Sequence, residues 1–112
     1  PDGNIRVSHQ DGSKPFLLCE YMHSMGNSLG GFEDYDALID EFDGYQGGWI
    51  WDFIDQALYT KRADGKEVLR YGGDFSEKPS DYEFSCDGIL FADRTEKPGL
   101  EEVRYFYERR IR

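Results

Sequence analysis

The chain has 112 residues and a formal net charge of −10, with 23 Asp and Glu against 13 Lys and Arg. This length fits one domain, because compact domains most often have about 100–150 residues. No Lys or Arg occurs between Pro15 and Thr60, whereas nine Asp and Glu do. Since such a surface repels phosphate groups, we expect neither nucleic acids nor anionic membranes as partners.

The sequence has no targeting or membrane-spanning pattern. No apolar run approaches the ~20 residues of a membrane span, and Pro1 opens a polar segment without a signal pattern. We therefore expect a cytoplasmic location. The two cysteines, Cys19 and Cys86, lie far apart without a metal-type spacing, which favours two reduced, buried thiols over a disulfide.

A loop and a strand are predicted in the first 20 residues. Residues 1–14 are rich in Gly, Ser and Asp and show no period, which predicts a loop or ragged end. The short apolar run at 15–20 predicts a strand that is buried on both faces. Glu20, its only charged residue, stands at the C-terminal end of this strand.

A helix and a second strand follow. Apolar residues recur at helical spacing over 29–42, with Asn27 or Ser28 as the predicted N-cap and Gly44 as the end. Residues 47–54 then predict a strand. The order strand, helix, strand indicates a parallel βαβ unit and an α/β fold.

The second half of the chain predicts a hairpin, a long loop and a helix. Residues 57–60 and 67–71 flank an Ala-Asp-Gly turn signal, which indicates a hairpin outside the main sheet. Residues 72–88 form a polar loop, and long loops in compact domains are usually functional. Pro98 opens a final helix with an arginine-rich end, whose apolar side consists of Leu100, Val103, Phe106 and Tyr107.

Glu20 is the best-placed ionisable residue. In α/β barrels and doubly wound sheets, the sites lie at the C-terminal ends of parallel strands, where the following loops converge. A strand-end carboxylate that merely faces water is an equally good interpretation of this position alone. His23 follows three residues later, but Glu-x-x-His binds metals on helices and in two copies, so we do not expect a transition-metal site.

The second strand carries the two tryptophans. Trp49 and Trp51 share one face by alternation, and a strand-end tryptophan beside a carboxylate can stack on the apolar face of a sugar ring. Core filling is the alternative for one of them. Asp52, Asp55 and Asp74 are expected to be hydrogen-bonded or solvated groups and not catalysts.

Four strings of the sequence closely resemble the β-galactosidases of glycoside hydrolase family 2. They are LCEYMHSMGNS at 18–28, GGWIWDFIDQ at 47–56, YGGDF at 71–75 and GILFADR at 88–94. They occur in the family's order between about Pro15 and Pro98. The resemblance implies the C-terminal portion of a (β/α)₈ TIM barrel, with its last two strands. It gives a matched core at 15–98 and a terminal helix at 99–112.

The resemblance also implies roles for individual residues. Glu20 falls on the retaining nucleophile, His23 on a contact to a sugar hydroxyl, and Trp51 under the galactosyl ring. A sodium ion is implied at the backbone carbonyl of Phe84 and the side chain of Asp87. The best-known members carry Asn where this chain has Asp87.

The expected function is that of a fragment of a retaining β-galactosidase, which hydrolyses terminal galactosyl residues of β-galactosides such as lactose. Retention needs a second carboxyl group as acid/base, and the family has this residue and its magnesium ligands upstream of Pro1. We expect a homo-oligomeric parent, an inactive isolated chain, and self-association through open strand edges. The alternatives are a non-catalytic sugar-binding module, which has no reason to carry the string from Glu20 to His23, and a complementing fragment whose role is assembly.

Overall fold

The computed structural model describes residues 14–26 and 28–111, and the side chains of Tyr82 and Glu83 are not described within this part. Residues 1–13 of the loop predicted over 1–14, and the predicted cap Asn27, lie outside it. The helices and strands of the described part, in chain order, are β1 (Phe16–Tyr21), α1 (Phe32–Glu41), β2 (Tyr45–Ile50), β3 (Ala57–Lys61), β4 (Glu67–Tyr71), a 3₁₀ turn (Tyr82–Ser85) and α2 (Leu100–Glu108).

The predicted parallel βαβ unit is confirmed. β1 pairs with β2 in parallel, and Leu18 lies opposite Gly48. Glycine is needed there, because a Cβ atom at Gly48 would lie 2.9 Å from the carbonyl oxygen of Leu18. The predicted second strand was too long at its C-terminal end: β2 ends at Ile50, and Ile54 forms a parallel bridge with Leu90 instead of pairing with β1.

The predicted start of the first helix was wrong. Helix α1 begins at Phe32, and its N-cap is Gly31 in the left-handed region, with φ 72° and no side-chain cap. The hydroxyl of Ser28 donates instead to the backbone carbonyl of His23. Leu29 has a φ of 83° and packs against the core from outside the helix. The apolar spacing therefore extended beyond the helix itself.

The core lies between β1, α1 and α2. The rings of Phe32 and Phe106 stack with centroids 5.0 Å apart, and Tyr21 contacts Phe32 edge to face. Burial raises the pKa of Tyr21, so its phenol stays protonated. Val103 and Phe106 are buried as the helical spacing predicted.

Ionic contacts also join the two helices. The Nε of Arg110, just beyond α2, donates to Oδ1 of Asp36 at 2.8 Å, and its Nη1 donates to Oδ1 of Asp40 at 2.7 Å. Asp36 is buried, with a relative exposure of 5%. Since a buried carboxylate without a partner is costly, these contacts fix how α1 and α2 pack.

The hairpin is confirmed as a unit outside the main sheet. β3 and β4 pair antiparallel, with Tyr59 opposite Leu69, and they form a two-stranded sheet of their own. Leu58 and Tyr59 are exposed on it.

The expectation that β1 is buried on both faces was wrong for this chain. Leu17, Cys19 and Glu20 are exposed, because β1 pairs only with β2 and nothing in the described part of the chain covers its other side. Both cysteines are free, as predicted, but Cys19 is exposed and Cys86 is half-buried. The predicted burial of both thiols was therefore wrong.

The chain has the dimensions of an incomplete unit. Its accessible surface is 8594 Å², whereas a compact monomer of 13.0 kDa exposes about 6,300 Å². The radius of gyration is 17.8 Å, against about 13 Å for a compact domain of this length. The described residues form a mixed α/β fragment and do not close a barrel.

No helix in the described part of the chain is long and apolar enough to cross a membrane. The cytoplasmic location stays a prediction.

Candidate active site

Glu20 and His23 lie side by side where β1 ends. The side chain of Glu20 is 49% exposed, and its Oε2 lies 3.3 Å from Nε2 of His23. The chain turns sharply between them, because Met22 adopts a left-handed φ of 56°. The Ser28 hydroxyl, bonded to the carbonyl of His23, holds this turn from the other side. The Glu20 carboxylate is thus open to solvent, while the backbone carbonyl of its neighbour His23 is held by a hydrogen bond.

Asp87 faces the other nitrogen of the same imidazole. Its Oδ2 lies 3.4 Å from Nδ1 of His23. Asp87 is 1% exposed, and neither carboxylate oxygen has a hydrogen-bond partner among the described residues. The His23 contact is therefore an ion-pair distance without hydrogen-bond alignment. The result is a row of carboxylate, imidazole and carboxylate that runs from a buried to an exposed position.

Backbone hydrogen bonds bring Asp87 to this place. The N–H of Asp52 donates to the carbonyl of Asp87 at 2.7 Å, and the N–H of Ile89 donates to the carbonyl of Asp52 at 2.9 Å. The segment around Asp87 thereby runs beside the continuation of β2, where Ile54 pairs with Leu90. Two distant stretches of chain meet at the end of the sheet.

Trp51 lies next to the strand that carries Glu20. Its N–H donates to the carbonyl of Tyr21 at 3.1 Å, which extends the β1–β2 pairing by one residue. The side chain is half-buried. Trp49 is 60% exposed and lines an apolar groove with Phe53 and Val103, so core filling does not describe Trp49 in this chain.

Phe84 completes the group of predicted site residues. Its ring meets that of His23 edge to face, with centroids 6.3 Å apart. All five predicted residues, Glu20, His23, Trp51, Phe84 and Asp87, thus lie at one end of the β1–β2 sheet.

The implied sodium ion can be tested against these residues. A buried carboxylate without hydrogen-bond donors is costly unless a cation or other donors compensate it, and Asp87 is such a group. Hard cations such as sodium take oxygen ligands, which the Asp87 carboxylate and the Phe84 carbonyl provide by type. These residues therefore fit sodium. Within the described residues, no three His, Cys, Asp or Glu side chains form a group that could hold a metal ion on their own.

A second ionic group lies beside the row. Oδ1 of Asp55 accepts from Nζ of Lys97 at 2.7 Å and from the N–H of Gly88 at 2.9 Å. Nζ of Lys97 also donates to the carbonyl of Cys86 at 2.9 Å. Asp55 was expected to be only hydrogen-bonded or solvated, and Lys97 was not singled out, because no local sequence pattern joins residues so far apart.

A cavity of about 690 Å³ opens beside this group. It is lined in part by Ser24, Asp55, Tyr71 and Lys97, whereas Glu20 and Trp51 do not line it. Burial raises the pKa of Tyr71, and the charge of Asp55 raises it further, so its phenol stays protonated. The other two acids behave as expected: Asp52 accepts from Gln56, and Asp74 accepts from the N–H of Tyr71.

The sequence matches a known family over nearly its whole length. Residues 3–111 match the model of "Glycosyl hydrolases family 2, TIM barrel domain". The chain therefore belongs to glycoside hydrolase family 2 and represents part of its TIM-barrel domain.

Several similar proteins are named β-galactosidases. The β-galactosidase large subunit of Latilactobacillus sakei is 64% identical over 95 residues, which cover 84% of this chain and 15% of that protein. That of Leuconostoc lactis is 56% identical over 108 residues, which cover 96% and 17%. The β-galactosidase of Streptococcus thermophilus is 55% identical over 105 residues, which cover 94% and 10%. The chain thus spans less than a fifth of these relatives.

Proposed function

We propose that this chain is the C-terminal portion of the catalytic barrel of a retaining β-galactosidase and carries its nucleophile, Glu20. The observation that carries the proposal is the position of Glu20: it is exposed at the C-terminal end of a parallel strand, with His23 beside it and Asp87 behind His23. Sites of α/β barrels lie at this end of the strands. Family membership and the names of the relatives support the substrate class.

The reaction proceeds in two displacements. A carboxylate oxygen of Glu20 attacks the anomeric carbon, the bond to the leaving oxygen breaks, and a second carboxyl group of the full-length enzyme gives that oxygen its proton. Water then attacks the same carbon and gives a proton to that second group. The Glu20 carboxylate leaves, so galactose is released with retained configuration.

His23 restricts the nucleophile and provides a polar contact for the sugar. Its ring is held between the carboxylates of Glu20 and Asp87 at 3.3 and 3.4 Å. A nucleophile must lie within about 3–3.5 Å of the atom it attacks, in the right direction, so fixing its neighbour contributes to the rate.

Trp51 and the sodium ligands serve binding in this proposal. The half-buried indole of Trp51, next to the β1 strand end, stacks on the apolar face of the galactosyl ring. Phe84 and Asp87 would hold sodium, which supplies a positive charge beside the buried carboxylate and an oxygen-binding site for a sugar hydroxyl. Magnesium ligands and the acid/base residue belong to other parts of the full-length enzyme, and its homo-oligomeric state stays a prediction.

A mechanism-based 2-fluoro-galactoside tests the nucleophile in the full-length enzyme. Such a compound forms the glycosyl ester but releases it slowly, so peptide mass spectrometry should find the label on Glu20. Glu20→Gln should reduce turnover to background, because an amide cannot form the ester. Glu67→Gln is the matched control: it changes an exposed glutamate of the separate hairpin and should retain activity.

Two outcomes would contradict the assignment. Label on Asp52 or Asp74 would move the nucleophile to another residue. Galactoside binding without any label or turnover in the full-length protein would favour a non-catalytic sugar-binding module.

A further inference from the structure

Asp55, which is buried, and Lys97, whose side chain is 14% exposed, form an ion pair that the reaction does not use. Asp55 is 5% exposed, and Nζ of Lys97 lies 2.7 Å from its Oδ1. Removing two such charges from water costs free energy, and well-packed apolar residues often stabilise a fold as well or better. Stability alone is therefore a weak explanation for this pair.

The hydrogen bonds of the pair go to both neighbours of Asp87 in the chain. Asp55 accepts from the N–H of Gly88 at 2.9 Å, and Lys97 donates to the carbonyl of Cys86 at 2.9 Å. The peptide groups before and after Asp87 are thus held by two members of one ion pair.

The side chain of Asp87 has no comparable support of its own. Neither of its oxygens has a hydrogen-bond partner among the residues that the structure describes. The direction of this carboxylate is therefore determined by the backbone on either side. That backbone has little freedom, since a Cβ atom at Gly88 would lie 2.2 Å from the nitrogen of Asp55.

We propose that Asp55 and Lys97 are positioning residues: they hold the peptide groups flanking Asp87, so that Asp87 faces His23 and His23 stays beside Glu20. This inference rests on the proposed function of Glu20. Neither residue touches the sugar; they act on the site through Asp87. Replacing a residue that orients a metal ligand typically costs about 10–100-fold in metal affinity or activity, and Asp87 is the proposed sodium ligand.

The test compares Asp55→Asn and Lys97→Met in the full-length enzyme. Active sites are first counted by complete labelling with the 2-fluoro-galactoside. kcat is then expressed per labelled site, and KM is measured on the same preparation. Both variants should lower kcat/KM about 10–100-fold, with part of the change in KM. A smaller population of folded enzyme cannot produce a change in KM, so this readout separates positioning from stability.

Asp36→Asn is the matched control. Asp36 is as buried as Asp55 and is also paired with a basic residue, but it lies in the contact between α1 and α2. Its replacement should lower the thermal midpoint while kcat and KM per labelled site stay at wild-type values.

The outcomes are separable. Wild-type KM and kcat per labelled site in Asp55→Asn or Lys97→Met would overturn the positioning role, whatever their thermal midpoints. If Asp55→Asn does not fold, Lys97→Met decides, because it keeps the hydrogen bond from Gly88 to Asp55. Failure of the wild-type enzyme to label at Glu20 would instead refute the proposed function.

Discussion

Oδ2 of Asp87 lies 3.4 Å from Nδ1 of His23. On the other side of the same imidazole, Oε2 of Glu20 lies 3.3 Å from Nε2. The two carboxylates differ in exposure, since Asp87 is buried whereas Glu20 is open to solvent. A buried group cannot reach an external sugar carbon as readily as an exposed one. This difference in exposure supports the proposal that Glu20 is the nucleophile and that Asp87 holds its neighbour His23.

Replacement of Asp87 tests the proposed cation site. Asp87→Ala removes the only carboxylate proposed to bind sodium, so the activity of the full-length enzyme should depend less on sodium at constant ionic strength. The measurement is kcat/KM for an aryl β-galactoside in sodium against potassium chloride. Asp64→Ala, in the exposed turn of the hairpin, is the control and should respond to sodium like the wild type. An unchanged sodium response of Asp87→Ala would remove this residue from the cation site.

Replacement of Trp51 tests sugar stacking. Trp51→Ala should weaken galactoside binding by a few kcal/mol at most, because aromatic contacts contribute roughly 0.5–1.5 kcal/mol beyond the area they bury. The inhibition constant of a non-hydrolysable galactoside measures this change. Trp49→Ala, on the exposed groove, serves as the comparison. An effect of Trp49→Ala without one of Trp51→Ala would exchange their roles.

Arg110→Met tests the ionic contact between the two helices. It removes the hydrogen bond to the buried carboxylate of Asp36. We expect this hydrogen bond to stabilise the packing of α1 by about 1.5 kcal/mol, the low end for charged partners, because Arg110 is partly exposed. That free energy corresponds to roughly tenfold faster amide exchange in α1. Hydrogen exchange with mass spectrometry measures it. Arg104→Met is the control, since the partners of Arg104 are exposed and its loss should change little.

The same contact predicts a pH dependence. The hydrogen bond from Arg110 holds the pKa of Asp40 below its usual range. A carboxyl pKa that is lower in the folded than in the unfolded state stabilises the folded state. This stabilisation is fully present above the ordinary carboxyl pKa of about 3.9, and it is lost as the pH falls through the lowered pKa. The contribution of Asp40 to α1 protection should therefore be full at neutral pH and fade in acid. In Arg110→Met, the part of the α1 amide protection that Asp40 contributes and that acid removes should be absent.

The 112-residue chain by itself should not hydrolyse an aryl β-galactoside above background. Loss of a general acid typically costs about 10²–10⁴-fold in rate, and the remaining strands that orient the sugar are also missing. The chain should elute as a species larger than 13.0 kDa on a sizing column, since Trp49, Phe53 and Leu58 are exposed. Turnover that disappears in Glu20→Gln would refute this and require an acid within the chain, with Asp52 the first to examine.

The helices and strands could be predicted from the sequence, because the residue patterns that indicate them are local. The short apolar run around Leu18, the helical period that includes Phe32 and the Ala-Asp-Gly turn predicted β1, α1 and the hairpin in order. The start of α1 could not be predicted, because Leu29 continues the apolar period although the helix begins only at Phe32, after the N-cap Gly31. The burial of β1 could not be predicted from its sequence either, because burial depends on the elements that pack beside the strand and not on the strand's own residues.

The site was only partly predictable for the same reason. Glu20 could be selected from its position at a strand end, whereas Phe84 and Asp87 came from the family resemblance alone. Their convergence on His23 depends on the bridge between Ile54 and Leu90. A single β-bridge produces no periodic pattern of residues in the sequence. The Asp55–Lys97 ion pair produces none either.

The contact at Gly88 has a consequence for how this segment tolerates variation. A side chain of any size there would overlap the backbone of Asp55 and the preceding carbonyl carbon, neither of which can rotate away as a side-chain end could. Gly65, in the hairpin turn, has a φ of 80° and open space around its Cα, so Asn or Asp can replace it. In a library of the full-length enzyme that samples every codon at both positions, selection for the proposed β-galactosidase activity, as growth on lactose, should return a single amino acid at 88 and several at 65.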